Sequence, residues 1–192
     1  MKKALLLLLP FTAAALTTHA QEMSYGIKGG LNLSNDIVLF DRYYPAFYGG
    51  GFAELKFNKH LAFQADLLFT KSGNYSKYQS DKTIYFDRRT QGYLNIPVMV
   101  KYYITPKLYV EAGPEAGILL YANQETESFR KSVKERFRKT ALNAGAGLGY
   151  KLPCGLGVNA RYMFGVSNKS EGGSLYTSNL QVGLNYTFNK KK

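Results

Sequence analysis

From residue 22 onward, apolar side chains recur at every second position, and that period constrains the fold more than any other feature of the chain. In "NLQVGLNYTF", Leu180, Val182, Leu184, Tyr186 and Phe188 oppose Gln181, Gly183, Asn185 and Thr187. In "LGVNARYMF", Leu156, Val158, Ala160, Tyr162 and Phe164 oppose Asn159, Arg161 and Met163. The same alternation runs through "SYGIKGGLNLS" (24–34), "LAFQADLLFT" (61–70), "LYVEAGPEAGILLY" (108–121) and "TALNAGAGLGY" (140–150). Successive side chains of a strand point to opposite faces, so a period of two predicts strands with two unlike faces. Segments 46–57 and 91–104 bring the expected strands to eight. Connections near 34–45, 74–90, 122–138 and 167–173 are long and polar, whereas 58–60, 105–107 and 153–155 are tight turns. A short helical turn within 126–138 is compatible with the sequence. An even number of strands, with short turns at one end and long loops at the other, predicts an all-β fold. The expected architecture is an eight-stranded antiparallel up-and-down transmembrane β-barrel.

Composition agrees with that expectation. The 192 residues include 16 Tyr and 19 Gly and no Trp, a balance that points away from helical bundles. Residues 1–20 resemble an export signal: Lys2 and Lys3 precede the short apolar run Ala4–Leu16, and "THA" ends in a small residue. That run is shorter than the roughly 20 residues a membrane-spanning helix needs. Cleavage before Gln21 would lower the formal charge from +12 to +10 and leave one barrel domain over residues 21–192. Cys154 is the single cysteine, so no internal disulfide can form.

Periodicity alone does not say which face meets lipid, because a soluble lipocalin-like barrel alternates in the opposite sense. The polar face carries Gly together with Lys28, Glu54, Lys56, Asp66, Lys101, Glu111, Glu115 and Arg161. Glycine suits a narrow interior in which neighbouring long side chains need room. Aromatic residues gather toward strand ends, among them Tyr25, Phe57, Phe69, Tyr102, Tyr150, Phe164, Tyr186 and Phe188, as interfacial girdles require. In "YLNIPVMVKYYI" (93–104) this register turns Leu94, Ile96, Val98, Val100, Tyr102 and Ile104 outward. Asn95, Pro97, Met99, Lys101 and Tyr103 then point inward. Lys101 on the lipid side would cost about 2–4 kcal/mol near mid-bilayer. Inside, it can meet Glu54, Asp66, Glu111 or Glu115. Pro97 lacks a ladder donor and is expected to mark a bulge or local bend.

Three stretches also carry a family resemblance. "YLNIPVMVKYY" (93–103) resembles the "YL-x-IP-x-x-x-KY" signature of the PorT-type outer-membrane β-barrel family. "GIKGGLNLS" (26–34) is similar to that family's first strand, and "YVEAGPEAGILL" (109–120) to its glycine-rich strand. The resemblance implies a small eight-stranded barrel in the outer membrane of a Gram-negative cell. The founding member is tied to type IX protein secretion, but these motifs describe the barrel and not that role. The chain departs from a common pattern in that "NKKK" follows Phe188, displacing a terminal aromatic insertion signal by four residues.

The residues supply little for catalysis. Small outer-membrane barrels that are enzymes use a His with a Ser and an acidic or amide partner. His19 lies in the export segment, and His60 in an expected tight turn beside Lys59. Cys154 and His60 are isolated, which argues against a metal site. No enzyme activity, cofactor or nucleic-acid partner is expected. Glu111 and Glu115 resemble a glycosidase carboxylate pair, but among Lys28, Lys56, Lys101 and Arg161 they read as counter-ions. The inner charges are therefore expected to pair and fill the lumen. Two segments expected as loops are basic. One carries Lys77, Lys82, Arg88 and Arg89, and the other Arg130, Lys131, Lys134, Arg136 and Arg138. Outer-membrane lipid, lipopolysaccharide phosphates and an unidentified envelope protein are the candidate partners. The expected role is that of a structural or interaction protein acting through long extracellular loops, with links to envelope assembly or secretion open. A narrow pore or transporter and a soluble periplasmic lipocalin-like binder are the alternatives.

Overall fold

The computed structural model describes the backbone of residues 22–36, 44–80, 83–126, 129–132, 139–166 and 177–188. It describes side chains for 22–33, 46–71, 90–123, 139–166 and 178–188. The strands are β1 (Glu22–Asp36), β2 (Tyr44–Lys56), β3 (Leu61–Ser80), β4 (Thr83–Tyr103), β5 (Leu108–Thr126), β6 (Phe129–Ser132), β7 (Thr140–Lys151), β8 (Leu156–Gly165) and β9 (Thr177–Thr187). Every pairing is antiparallel, and the ring β1-β2-β3-β4-β5-β7-β8-β9 closes through the β1–β9 ladder. Eight strands thus form a closed barrel, and the four-residue β6 is an appendage paired with the far end of β5. Closure leaves the staves without a free sheet edge along their shared length, as a lipid-embedded sheet requires.

Each short connection has a local cause. In the β2–β3 turn, Asn58 Oδ1 accepts the backbone N–H groups of His60 and Leu61, both at 2.8 Å. In the β4–β5 turn, Thr105 Oγ1 accepts those of Lys107 and Leu108 at 3.3 and 2.9 Å. Such side chains substitute for backbone acceptors in tight turns. The β7–β8 turn uses Gly155 at φ +82°, a conformation that favours a residue without Cβ.

The opposite end differs from expectation. Residues 74–90 are not a loop: β3 and β4 continue as a hairpin whose ladder runs out to Ser80 opposite Thr83. Ile84, Tyr85 and Phe86 are consecutive instead of alternating with polar residues, so no period of two marks these strands. Chain that projects beyond the bilayer meets water on either side and needs no apolar stripe. Part of the segment compatible with a helical turn is extended instead, because Phe129–Ser132 pair with Asn123–Thr126. The connection expected at 34–45 is shorter, since β1 runs to Asp36 and β2 begins at Tyr44, and its remainder lies outside the described residues, as does the connection expected at 167–173.

Pro97 does not bring about a bulge. Its ladder with β3 is interrupted between Val98 opposite Ala65 and Asn95 opposite Leu68, and the register is the same on both sides of the gap. The missing N–H is thus absorbed as lost pairing. The bulge sits at Gly92/Tyr93 in the β4–β5 ladder.

The barrel is apolar outside and polar inside. Leu148 and Leu184 are 56% and 59% exposed on the outer face, whereas Glu54 and Arg161 are 1% exposed within. This is the reverse of a soluble lipocalin-like barrel and removes that alternative. Near the short-turn end, Tyr25, Tyr186 and Phe188 form a continuous outward aromatic group, with ring centroids 5.7 Å apart at both contacts. Phe57 and Phe63 form a separate pair with centroids 5.3 Å apart. Tyr102 and Tyr150 also face outward at this end, and Phe69 and Phe164 do so toward the other.

Candidate functional site

The chemistry of the described residues is concentrated in the lumen. Its middle tier draws side chains from every second stave: Lys28 on β1, Asp66 on β3, Glu111 on β5 and Arg161 on β8. Asp66 Oδ2 accepts Lys28 Nζ at 3.0 Å and Arg161 Nη1 at 3.1 Å. Arg161 Nε donates to Glu111 Oε1 at 2.8 Å. Gln64 Nε2 donates to the other Asp66 oxygen. β3 and β8 are opposite staves of the ring, so the Asp66–Arg161 pair crosses the lumen.

The tier nearer the short turns is centred on Glu54. Its Oε2 accepts Lys101 Nζ at 2.9 Å, and its Oε1 accepts both Lys151 Nζ and Tyr103 OH at 2.8 Å. Lys101 Nζ also lies 4.1 Å from the Tyr109 ring centroid. Lys101 therefore faces the lumen, and its hydrogen bond goes to Glu54 rather than to its ladder neighbour Glu111. Lys56 is half-buried, with Nζ 4.7 Å from the Tyr103 ring centroid. Beyond the middle tier, Glu115 Oε1 accepts Asn143 Nδ2 at 2.7 Å, and Asn95 Nδ2 donates to Thr70 Oγ1 at 3.2 Å.

Each carboxylate in these two charged tiers meets at least one cation, which offsets the cost of removing charges from water. Glycine makes this dense arrangement sterically feasible. Gly149 stands opposite Tyr109 on β5, where an added Cβ would come within 2.3 Å of the phenol oxygen. Gly145 stands opposite Met163 on β8, where a Cβ would meet the sulfur at 2.1 Å.

Lys28, Glu54, Asp66, Lys101, Glu111 and Arg161 are brought into these two tiers, with Lys56 at their edge and Glu115 held separately by Asn143. Lys151 belongs to the Glu54 tier and was not among the residues singled out in the sequence. Its signal was present, since Tyr150 faces outward and the next residue must face inward, but it occupies the last position of β7. The side chains of Lys77, Lys82, Arg88, Arg89, Arg130, Lys131, Lys134, Arg136 and Arg138 lie outside the described residues. On the backbone, residues 77 and 88–89 fall in the β3–β4 hairpin and 130–131 in β6. His60 belongs to the β2–β3 turn, with Nδ1 3.0 Å from the Tyr103 carbonyl oxygen and its ring stacked on Tyr102. No group of three or more His, Cys, Asp or Glu side chains suited to a metal occurs among the described residues.

Comparison with known proteins gives the same architecture. The attachment invasion locus protein Ail of Yersinia pestis, solved in complex with the heparin analogue sucrose octasulfate, superposes with a TM-score of 0.51 at 18% identity. The match covers 88% of this chain and 100% of that one. Neisserial surface protein A (NspA) gives 0.51 at 12% identity, with 88% and 100% covered. At these identities the likeness is one of fold. No curated relative matches the chain. The family model described as "outer membrane protein beta-barrel domain" matches residues 19–171. With a closed eight-stave barrel, an apolar outer face and a match over most of its length, the chain belongs to the outer membrane protein beta-barrel domain family and is an outer-membrane β-barrel protein.

Proposed function

We propose that this protein is a closed, non-catalytic outer-membrane anchor that works through the hairpins at its long end. Residues 1–20 act as a cleaved export signal in this reading, and both termini lie in the periplasm. The cation-rich β3–β4 hairpin and the 129–138 region then lie outside the cell, where lipopolysaccharide phosphates are the nearest polyanions. Arg and Lys side chains bind phosphate through charge-assisted hydrogen bonds. The PorT-type motifs at 93–103 leave a role beside an envelope assembly or secretion partner open.

The observation that carries the reading is the Lys28–Asp66–Arg161–Glu111 chain across the lumen. An eight-stranded interior is just wide enough for side chains to fill, and paired charges spanning it leave little room for hydrated ions. This favours an anchor over a narrow pore. The polyanion bound to the Yersinia barrel of the same fold supports the ligand class by analogy of fold alone. In planar bilayers the purified protein should give no steady ohmic steps, and reproducible conductance would favour the pore. Binding to lipopolysaccharide should weaken when Arg88, Arg89, Arg136 and Arg138 are replaced by Gln. Unchanged binding would remove the proposed ligand.

A further inference from the structure

At the short-turn rim, a recess of about 600 Å3 opens between the first residues of β1, the β7–β8 turn and the end of β9. β1 outruns its neighbour there. Glu22–Ser24 pair with Glu54–Lys56 of β2, whereas the β1–β9 ladder begins at Gly26 opposite Thr187. The outer wall of the recess includes Met23, Tyr25 and Phe188, which face the bilayer side, and its inner floor includes Glu54, Lys56 and Lys151. The recess thus joins a lipid-facing apolar wall to a cationic floor.

That floor has more cation than its carboxylate can serve. Both oxygens of Glu54 are occupied, one by Lys101 and the other by Lys151 and Tyr103. The Lys56 and Lys151 ammoniums lie 4.7 and 4.9 Å from the centroid of the same Tyr103 ring. Both lysines line the one recess and share that ring, so their charges repel, and an anion held in the recess would relieve the repulsion. Glu22 is the ladder neighbour of Lys56 and lines the same recess, but no ion pair joins the two among the described residues. A phosphate offers several acceptor oxygens to two ammoniums at once. Basic pockets bordered by lipid-facing surface are a recurring way to hold anionic head groups.

We propose that this recess binds the phosphate of an anionic phospholipid, with Lys56 and Lys151 as donors and the acyl chains lying along Met23, Tyr25 and Phe188. The proposal rests on the membrane placement of the barrel but not on a closed lumen or on the hairpin ligand. The test is native mass spectrometry of the full chain released from mixed phosphatidylcholine and phosphatidylglycerol micelles. One retained phosphatidylglycerol per barrel is expected. Loss of a charge-assisted contact should lower that retention about tenfold or more in Lys56→Met. Lys56→Arg should restore it, and Glu22→Gln, which removes a competing carboxylate, should leave it equal or higher. Lys107→Met, in an exposed turn outside the recess, should not change it. Equal retention by Lys56→Met, or equal loss in Lys107→Met, would overturn the proposal. Heat-dependent gel migration separates failure to fold from failure to bind, and Lys56→Gln provides a second variant if Lys56→Met does not fold. Inorganic phosphate is added separately to the lipid-free protein in neutral detergent. If it raises the unfolding midpoint of the wild type but not of Lys56→Met, while no lipid is retained, the lipid source is overturned in favour of soluble phosphate.

Discussion

Glu111 and Arg161 meet at 2.8 Å although a whole strand lies between them. That strand is β7, and the residue in register with both is Gly147. Glycine places no side chain between carboxylate and guanidinium, so Arg161 reaches across β7 to Glu111 and onward to Asp66. The middle of the barrel is therefore specified by a missing side chain as much as by the charges.

Filling that gap should be costly. A Cβ at position 147 would lie 2.6 Å from the Ala160 carbonyl oxygen and 3.2 Å from Arg161 Cβ. Overpacking of this kind costs about 1–3 kcal/mol, and Gly147→Val should also displace Arg161 from Glu111. A lower unfolding midpoint in detergent is expected. An unchanged midpoint would show that β7 can shift without cost.

Removing the guanidinium should be worse. Arg161→Met leaves Glu111 without its ion pair and Asp66 with Lys28 as its remaining ion-pair partner beside the Gln64 amide. Breaking a buried pair from one side costs about 3–5 kcal/mol. The double variant Arg161→Met/Glu111→Gln should recover part of the loss, because no buried charge then lacks its partner at position 111. Thermal unfolding of the single and double variants checks this.

Lys101 and Val100 should respond for different reasons. Lys101→Met removes one of three donors to Glu54, so Lys151 and Tyr103 should hold its cost below the about 3–5 kcal/mol of a fully orphaned charge. Val100→Lys places a charge on the outer face three residues before the end of β4, at less than the about 2–4 kcal/mol of a mid-bilayer charge. Both should lower the unfolding midpoint in lipid. A silent Val100→Lys would contradict the outward placement of that face.

Cys154 reports orientation without engineering. It is exposed in the β7–β8 turn. If that end is periplasmic, a membrane-impermeant maleimide should label it only after the outer membrane is permeabilised. A tag inserted near Ser80, at the tip of the β3–β4 hairpin, should be reached on intact cells, and one after Lys192 should not. Labelling of Cys154 on intact cells would invert the topology.

The sequence by itself determined the faces. Period two puts Ile96, Val100 and Tyr102 on one side and Asn95, Met99 and Lys101 on the other, because a strand has no other way to distribute its side chains. The same rule, with the turn signals around Asn58, Thr105 and Gly155, set the eight staves and the end at which they turn tightly. It did not reveal the hairpin at 74–90, since beyond the bilayer both faces of a strand are wet and alternation carries no signal there. It placed an irregularity at Pro97, whereas the bulge lies at Gly92/Tyr93. A missing donor can be tolerated as lost pairing, and only the register of two strands shows where an extra residue is accommodated.

Partner choice was decided by the tertiary structure alone. Lys101 could have met any of four inward carboxylates, including Glu111 directly across its own ladder, yet it donates to Glu54 on a stave two places away. Arg161 joins residues 95 and 50 positions distant in the chain. Those contacts depend on how far the closed sheet is staggered and on how narrow its lumen is. Alternation fixes which way a side chain points. Closure fixes what it finds there.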